Sequence, residues 1–379
     1  MLNAKSQMLN AKCQKPKANN QKPITILGST GSIGQQTLAI IRRYPRKFKI
    51  LGLANNTNWR LLQQQIQKFK PKLVATNCPQ KISAPVQICS LIELAQQKAN
   101  LVVNGLSGSS GVAATLAALK KGNDVALANK EALVIAGPFL RRAAKKSGAK
   151  IWPVDSEHAA LFQLLQGRAP SEIHQVILTA SGGALRDYPL KQLHKVTPAQ
   201  VLRHPTWQMG AKVTVDSATL ANKAFEVIEA AELFQLPLNK IKILGHPQSL
   251  VHALVELKTG ETLAALAQPS MLLPIGNALF KFQQPPQPHF NFCALANQNL
   301  QFHAIDYKRY PIFPLILQAA QQGLLARAVA AYADEVAVEK FLHREIAFPE
   351  ISNFVAAALR KIPRGPATLK NIFRIRTEI

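Results

Sequence analysis

The chain has 379 residues, 47% of them hydrophobic, a length that suits two or three domains with sizeable cores. Its 46 Lys and Arg against 20 Asp and Glu give a net charge of +26, but the basic residues are scattered, without a dense basic block, interleaved aromatics or zinc-finger spacing, which sets specific nucleic-acid binding aside and favours a phosphorylated substrate or cofactor. No apolar run approaches the ~20 residues that span a bilayer, so a soluble protein with no membrane partner is expected.

Residues 1–21 contain a duplicated heptad, MLNAKSQ then MLNAKCQ, which is polar and lacks the apolar centre of a secretory signal. Disorder is expected there. From Pro23 the pattern changes. Ile24, Ile26 and Leu27 read as a buried strand, and a helix over about Ile33 to Tyr44 is stopped by Pro45. FKILGLA, KLVAT, LVVNG and DVALA follow as short apolar strands, separated by NWRLLQQQIQKF and GVAATLAALKKG as helices. EALVIAGPFLRRAAKKSG closes the region as a helix. This alternation predicts an α/β, Rossmann-like, doubly wound parallel sheet over residues 22–150.

Residues 151–275 predict an α+β domain. IWPVDSEHAALFQLLQG is a strand end turning into a helix, and QVILTASGGALRD a strand entering a Gly-rich turn. HPTWQMGAKVTVDSATLANKAFEVIEA supplies another strand and then a helix from about Ala218, and IKILGHPQSLVHALVELKTGETLAALA reads as strand, strand, turn, strand. Residues 276–305, rich in Gln, Pro and Phe, predict a linker, and residues 306–379 a small helical domain. Cys13, Cys78, Cys89 and Cys293 show no regular spacing and read as reduced thiols.

GSTGSIG sets Gly28, Gly31 and Gly34 on the first strand-to-helix turn, where glycine lets backbone approach a pyrophosphate and the helix N-terminus offers free N–H groups. NAD-specific folds usually end the second strand with an acid for the ribose hydroxyls. Here that strand ends in Ala54, Asn55, Asn56 and Thr57, and the first acid in the chain is Glu93. NADP is therefore favoured over NAD, although the loop holds no base and Arg60 is the nearest.

The acids concentrate elsewhere. Asp155 and Glu157 lie two apart, where an extended segment aims both carboxylates at one ion; a helix cap followed by Glu is the other reading. In the helix from Ala218, Leu220, Ala224, Val227 and Ile228 share one side, and Asn222, Glu226 and Glu229 the other, with Lys223 a quarter-turn away. By amphipathicity alone that polar side is a solvated face. His204, Trp207 and Met209 precede it in a Pro- and Gly-flanked segment, and such side chains are costly to expose unless they cover something. Carboxylates without Cys or a His triad suit Mg²⁺ or Mn²⁺. Ser181 and Gly182, with Ser217, Asn222 and Lys223, offer donors to a phosphate. His246 reads as a packed histidine.

GSTGSIG, LANKEALV, PVDSEHAA, LTASGG, the His204–Ala230 stretch and HPQSLVHALVE occur in that order, and together they resemble the 1-deoxy-D-xylulose 5-phosphate reductoisomerase family. The resemblance implies a cytoplasmic bacterial homodimer that uses NADPH and one divalent cation, Mn²⁺, Mg²⁺ or Co²⁺. It implies Asp155, Glu157 and Glu226 as metal ligands, and Lys130, Glu157 and His204 as catalytic residues. Ser181, Ser217, Asn222 and Lys223 would hold the phosphate, with His204 beside the substrate and Ser156 and Lys130 at its oxygen-bearing carbons. Thr30, Gly31, Ser32 and Ile33 would hold the pyrophosphate, Asn55, Asn56 and Thr57 the adenosine side, and Asn129, Glu131 and Gly210 the nicotinamide end. Trp207 and Met209 would form a lid. The implied reaction is a rearrangement by carbon–carbon cleavage and recombination, followed by reduction to 2-C-methyl-D-erythritol 4-phosphate.

The chain departs from the family pattern at Asn55-Asn56-Thr57, at Ser270 in place of an Asp, and at AYADEVAV (residues 331–338) in place of an Asn-rich segment. The last two predict altered packing rather than lost chemistry. Another NADP-dependent oxidoreductase explains the Gly loop but gives the carboxylates no role, and an inactive relative would not keep them together with the lid.

Overall fold

The computed structural model describes residues 21–283, 290–296 and 299–379. The N-terminal extension expected to be disordered, except for residue 21, and parts of the expected linker lie outside the described residues.

β1 (Lys22–Leu27) becomes fully buried along its length, as a strand covered on both faces requires. α1 (Ser32–Arg43), β2 (Phe48–Ala54), α2 (Trp59–Phe69) and β3 (Leu73–Ala75) repeat the unit. A two-residue strand, β4 (Gln87–Ile88), is followed by α3 (Leu91–Gln96), which opens on a Ser90–Glu93 capping box. β5 (Leu101–Asn104), α4 (Gly111–Lys120), β6 (Asp124–Leu127), α5 (Lys130–Ser147) and β7 (Ile151–Pro153) complete the sheet. Its seven strands run parallel in the order β4-β3-β2-β1-β5-β6-β7. The order reverses between β1 and β5, so the crevice beyond their carboxyl ends is where such a sheet binds its ligand.

The chain then leaves this sheet through α6 (Ser156–Leu165) and enters β8 (Ile173–Ala180). A short turn of helix, α7 (Pro198–Val201), precedes α8 (Ala211–Thr219) and α9 (Ala221–Phe234). β9 (Ile241–Gly245), β10 (Val251–Leu257) and β11 (Thr262–Leu266) join β8 in the order β11-β10-β8-β9. β9 lies parallel to β8, and β10 runs antiparallel to both of its neighbours. α10 (Leu272–Leu279) returns to pack on α1, with Phe280 edge-on to Tyr44 and Phe48. α11 (Ile312–Gln322), α12 (Leu324–Leu342), α13 (Glu350–Leu359) and α14 (Leu369–Glu378) form the helical C-terminal region. No helix among the described residues is long and apolar enough to cross a membrane.

Two expectations fail in the His204–Ala230 stretch. The strand read in KVTVD is the helix α8, because its β-branched residues pack against helices rather than pairing with a strand. The helix expected from Ala218 is broken there: Leu220 adopts a left-handed φ of 68°, ending α8 and redirecting the chain into α9. The polar side of α9 is also not solvated. Glu226 and Glu229 are each 1% exposed, because α9 is enclosed by α5, α6, α8, α11 and β9 rather than lying on one surface.

Candidate active site

The crevice beyond β1 and β5 continues into a cavity of about 230 Å³ that reaches the end of β8 and the start of α9. Its first wall is the GSTGSIG turn. Gly28 has a φ of +84°, and a Cβ there would lie 2.7 Å from the Gly105 oxygen. A Cβ on Gly34 would lie 2.3 Å from the Gly28 oxygen, so this glycine lets α1 press against the strand end. Gly31 caps α1 and, with Ser32 and Ile33, lines the cavity. Thr30 sits in the same turn but does not line it.

Across the cavity, Asn129, two residues beyond the end of β6, caps α5 by accepting from Ala132 N. Its amide donates to the Leu106 and Gly108 oxygens and to Glu131. This network fixes the first turn of α5 and aims Lys130 at the acids. Lys130 Nζ lies 2.8 Å from Asp155 Oδ2, 3.0 Å from Glu226 Oε1 and 2.7 Å from Asn222 Oδ1.

The cap reading of Asp155 is the one the backbone shows, with Glu157 already inside α6 rather than on an extended segment. It caps α6 by accepting from Glu157 N, and it also faces the cavity. Ligand oxygens of Asp155, Glu157 and Glu226 lie within 4.8 Å of one another. Lys223 spans Glu157, at 2.8 Å, and Glu226. Burial opposes the charge of Lys130, but Asp155 and Glu226 outweigh it and hold the ammonium well above its ordinary range. Burial likewise opposes ionisation of Asp155, yet Lys130 and His158 keep its carboxyl well below the usual range. Glu157 moves the other way, to about 7, through burial and the neighbouring Glu226.

Beneath these acids lies His158, which the sequence did not single out. Its Nε2 is 2.9 Å from the Glu226 carbonyl oxygen, and its Nδ1 is 3.2 Å from Asp155 and 3.6 Å from Glu229. Burial works against its charge, but Glu229 and Asp155 prevail and raise it to about 9. The carboxyl groups of Asp155, Glu157, Glu226 and Glu229 thus gather around Lys130, Lys223 and His158. This oxygen-rich pocket in a basic protein fits a hard divalent cation.

The anion side adjoins it. Ser181, Ser217, Asn222 and Lys223 line the same cavity. A Cβ on Gly183 would meet Ala218 Cα at 2.5 Å, which is why the TASGG turn can dock on α8 and bring Ser181 to this wall. His204 Nδ1 accepts from the Thr206 and Trp207 amides, at 3.1 and 3.0 Å. The proton of the neutral ring is therefore on Nε2, which donates to Ser181 Oγ at 3.0 Å. Burial and Arg186 lower the His204 pKa to about 4. Trp207, Gln208, Met209 and Gly210 close the cavity from above, with Trp207 edge-on to His252.

Three family models match the chain: 1-deoxy-D-xylulose 5-phosphate reductoisomerase over residues 24–137, its C-terminal domain over 151–234, and the DXP reductoisomerase C-terminal domain over 266–379. The chain belongs to the 1-deoxy-D-xylulose 5-phosphate reductoisomerase family. A reductoisomerase of Thermomicrobium roseum is 44% identical, covering 92% of this chain and 93% of its own. That of Thermus thermophilus is 43% identical, covering 93% and 96%. A crystal structure of the family enzyme in complex with NADPH, fosmidomycin and magnesium superposes with a TM-score of 0.89 at 34% identity, covering 94% of this chain and 96% of that one. The Zymomonas mobilis enzyme in complex with NADPH gives 0.84 at 35% identity, covering 94% and 97%.

Within this family member, most residues singled out from sequence divide into two groups, while Thr30, Asn129 and His204 sit beside the cavity without lining it. Lys130, Glu131, Asp155, Ser156, Glu157, Ser181, Trp207, Met209, Gly210, Ser217, Asn222, Lys223 and Glu226 converge on one cavity with Gly31, Ser32 and Ile33. Asn55, Asn56 and Thr57 stand apart at the end of β2, where Asn77 Nδ2 donates to Asn56. His246 is a packed histidine, as read: its Nε2 accepts from the Leu250 and Val251 amides. Ser249 and His252 line the cavity without having been assigned a role. The left-handed φ of 54° at Ser249 is a non-glycine strain of the kind found at binding sites, and no sequence periodicity reports it.

Proposed function

We propose that this cavity converts 1-deoxy-D-xylulose 5-phosphate to 2-C-methyl-D-erythritol 4-phosphate, using NADPH and one divalent cation, Mg²⁺, Mn²⁺ or Co²⁺. The observation that carries the reading is the meeting of three carboxylates, a set of anion donors and a glycine-rich helix N-terminus in one enclosed space. Held by Asp155, Glu157 and Glu226, the cation would supply Lewis acidity at the ketone and neighbouring hydroxyl oxygens, and the dinucleotide would supply the hydride.

The chain's own residues account for the rest. Ser181, Ser217, Asn222 and Lys223 hold the phosphate through charge-assisted hydrogen bonds. Once a cation balances the acids, Lys130 and Lys223 are freed to face an anionic substrate, and Lys130 and Ser156 donate to the oxygens on its carbons. His204 stays neutral, presents Nε2–H to the substrate side and holds two lid amides on Nδ1. Trp207 and Met209 shut out water while the carbon fragments are apart. Thr30, Gly31, Ser32 and Ile33 receive the pyrophosphate on α1. Asn129, Glu131 and Gly210 frame the nicotinamide end, and Asn55, Asn56 and Thr57 the adenosine side.

The chain is further read as a cytoplasmic homodimer. Among the described residues β11 is an edge strand of the second sheet, which supports an isologous contact. Described cysteines Cys78, Cys89 and Cys293 are free thiols, as in a reducing compartment. Light scattering on the purified chain tests the dimer.

The deciding assay follows NADPH absorbance with 1-deoxy-D-xylulose 5-phosphate, first with Mn²⁺ and then with EDTA, for wild type and Glu226→Gln. Oxidation that needs the metal and collapses in the variant is expected. A folded wild type that is inert with all three metals would overturn the reading.

A further inference from the structure

A second buried charge cluster lies behind the cavity and touches none of the proposed metal ligands. Lys212, in the first turn of α8, places Nζ 2.8 Å from Asp334 Oδ2 on α12, 2.5 Å from Asp216 Oδ2 and 3.2 Å from Glu131 Oε1 on α5. Asp216 and Asp334 are 1% and 0% exposed. Each leaves its Oδ1 buried without a hydrogen-bond partner. The next residue of α12, Glu335, accepts the Ser109 amide at 2.9 Å and sits against Gly108, whose added Cβ would meet Glu335 Oε1 at 2.5 Å.

Two adjacent acids of α12 therefore grip opposite edges of the cavity mouth. Glu335 holds the turn that follows Leu106 and Ser107, which line the cavity. Asp334 holds Lys212, two residues beyond Gly210, the last residue of the lid. Glu131, which also lines the cavity, closes the loop between them.

We propose that Asp334 is a positioning residue for lid closure: through Lys212 it fixes the end of the lid to the helix α12 and, through Glu131, to the first turn of α5. The proposal rests on the cavity being the site of dinucleotide and substrate. Asp334 lies in the segment AYADEVAV, and its carboxyl group is one of three that surround Lys212. The charged groups facing Asp334 are Lys212 and Asp216 of α8 and Glu131 of α5; α9 offers the Phe225 ring, 5.5 Å from Lys212 Nζ, and the Gly108–Ser110 turn offers backbone. Three carboxylates around one ammonium cannot all ionise in a dry site, so Asp216 and Asp334 retain a proton between them. Burial, then the facing Asp334, pushes Asp216 well above the usual carboxylate range; burial likewise raises Asp334. Losing that proton at alkaline pH sets two carboxylates against each other and loosens the clamp.

The test uses the full chain as wild type, Asp334→Ala and Asp334→Asn. NADPH binding is followed by fluorescence without substrate, and KM and kcat are measured with Mn²⁺ from neutral to alkaline pH. A lid that closes less readily weakens both ligands by the same factor. Asp334→Ala is therefore expected to raise the NADPH Kd and the substrate KM together, by about tenfold, with kcat nearly kept. Asp334→Asn, which still accepts from Lys212 and can donate to Asp216, is expected to restore wild-type values at neutral pH and to flatten the alkaline rise in KM. A lowered Tm in Asp334→Ala with unchanged Kd and KM overturns the proposal and leaves a purely structural role. If Asp334→Ala does not fold, an alkaline limb identical in wild type and Asp334→Asn overturns it instead. Wild-type NADPH binding without turnover would count against the proposed reaction; altered Kd in the variants would then still support the clamp.

Discussion

The molecule holds two buried clusters of acids bridged by lysine, and only one can be the catalytic centre. Around Lys130, the carboxylates of Asp155, Glu157 and Glu226 converge on each other and open to a cavity beside serines and an asparagine. Around Lys212, those of Glu131, Asp216 and Asp334 come from three separate helices and close over the ammonium. Both clusters perturb their titrating groups, so a shifted pKa does not separate them. Access does. The first cluster lines the cavity, where a cation and a substrate can enter, whereas Asp216 and Asp334 do not line it and are almost wholly buried.

The sharpest way to break this contrast is to remove one acid from the open cluster. Asp155→Asn or Glu226→Gln should lower kcat by roughly 10³-fold or more, the scale of losing a principal electrostatic stabiliser at a reacting centre. Metal binding, followed by calorimetry, should weaken in parallel. Retained turnover in both variants would show that the carboxylates are not the metal site.

The next test exchanges the two lysines. Lys212→Met leaves three facing carboxylates without a cation and should cost about 3–5 kcal/mol of stability, the scale of breaking a buried pair. Lys130→Met leaves a comparable deficit, but at a place open to a metal ion. Mn²⁺ should therefore recover much of the Tm lost in Lys130→Met and none of that lost in Lys212→Met. Equal recovery in both would erase the distinction between an open and a sealed cluster.

How much of this was legible in the sequence follows from the same geometry. GSTGSIG and the alternating apolar strands could be read directly, because strand, turn and helix signals are local; the grouping of the acids at 155, 157 and 226, with 226 chosen over 229, came from the family resemblance. The burial of Glu226 and Glu229 could not. A hydrophobic period shows which side of a helix is apolar, not whether the polar side meets water, and here it meets His158, Lys130 and Lys223. Lys212 and Asp334 are far apart in the chain, and nothing in either segment announces the other. The break at Leu220 escaped for a different reason: leucine has no preference for a left-handed φ, and the packing of α8 on α9 imposes it.

His204 links the open cluster to its lid, and its effect should be smaller. Truncation in His204→Ala removes the acceptor of two lid amides and the donor to Ser181. Substrate KM should rise by roughly 10–100-fold, the scale of losing these hydrogen bonds, more than kcat falls. The folded-state pKa of His204, about 4, lies below that of the unfolded chain. The native state thus binds fewer protons, and stability falls as pH drops from about 6.5 toward 4, where Nδ1 would have to become a donor facing two N–H groups. The same Tm loss in His204→Ala over that window would exclude this histidine as the cause.

The smallest expected effect is the most discriminating for the sealed cluster. Asp216 and Asp334 have carboxyl pKa values raised on folding, through burial and then, for Asp216, the charge of its neighbour. A raised carboxyl means that the native state holds a proton the unfolded chain has released. Its contribution to stability is complete below the unfolded carboxylate range and is lost as pH rises through the folded value. Asp334→Asn removes that proton uptake while keeping an oxygen for Lys212. The variant should match wild type at low pH and exceed it increasingly at higher pH, by roughly a few degrees in Tm. A Tm difference independent of pH would mean that the two acids do not share a proton. Lys212 would then balance three fully ionised carboxylates, and the sealed cluster would have to be stabilised by contacts other than those between its charges.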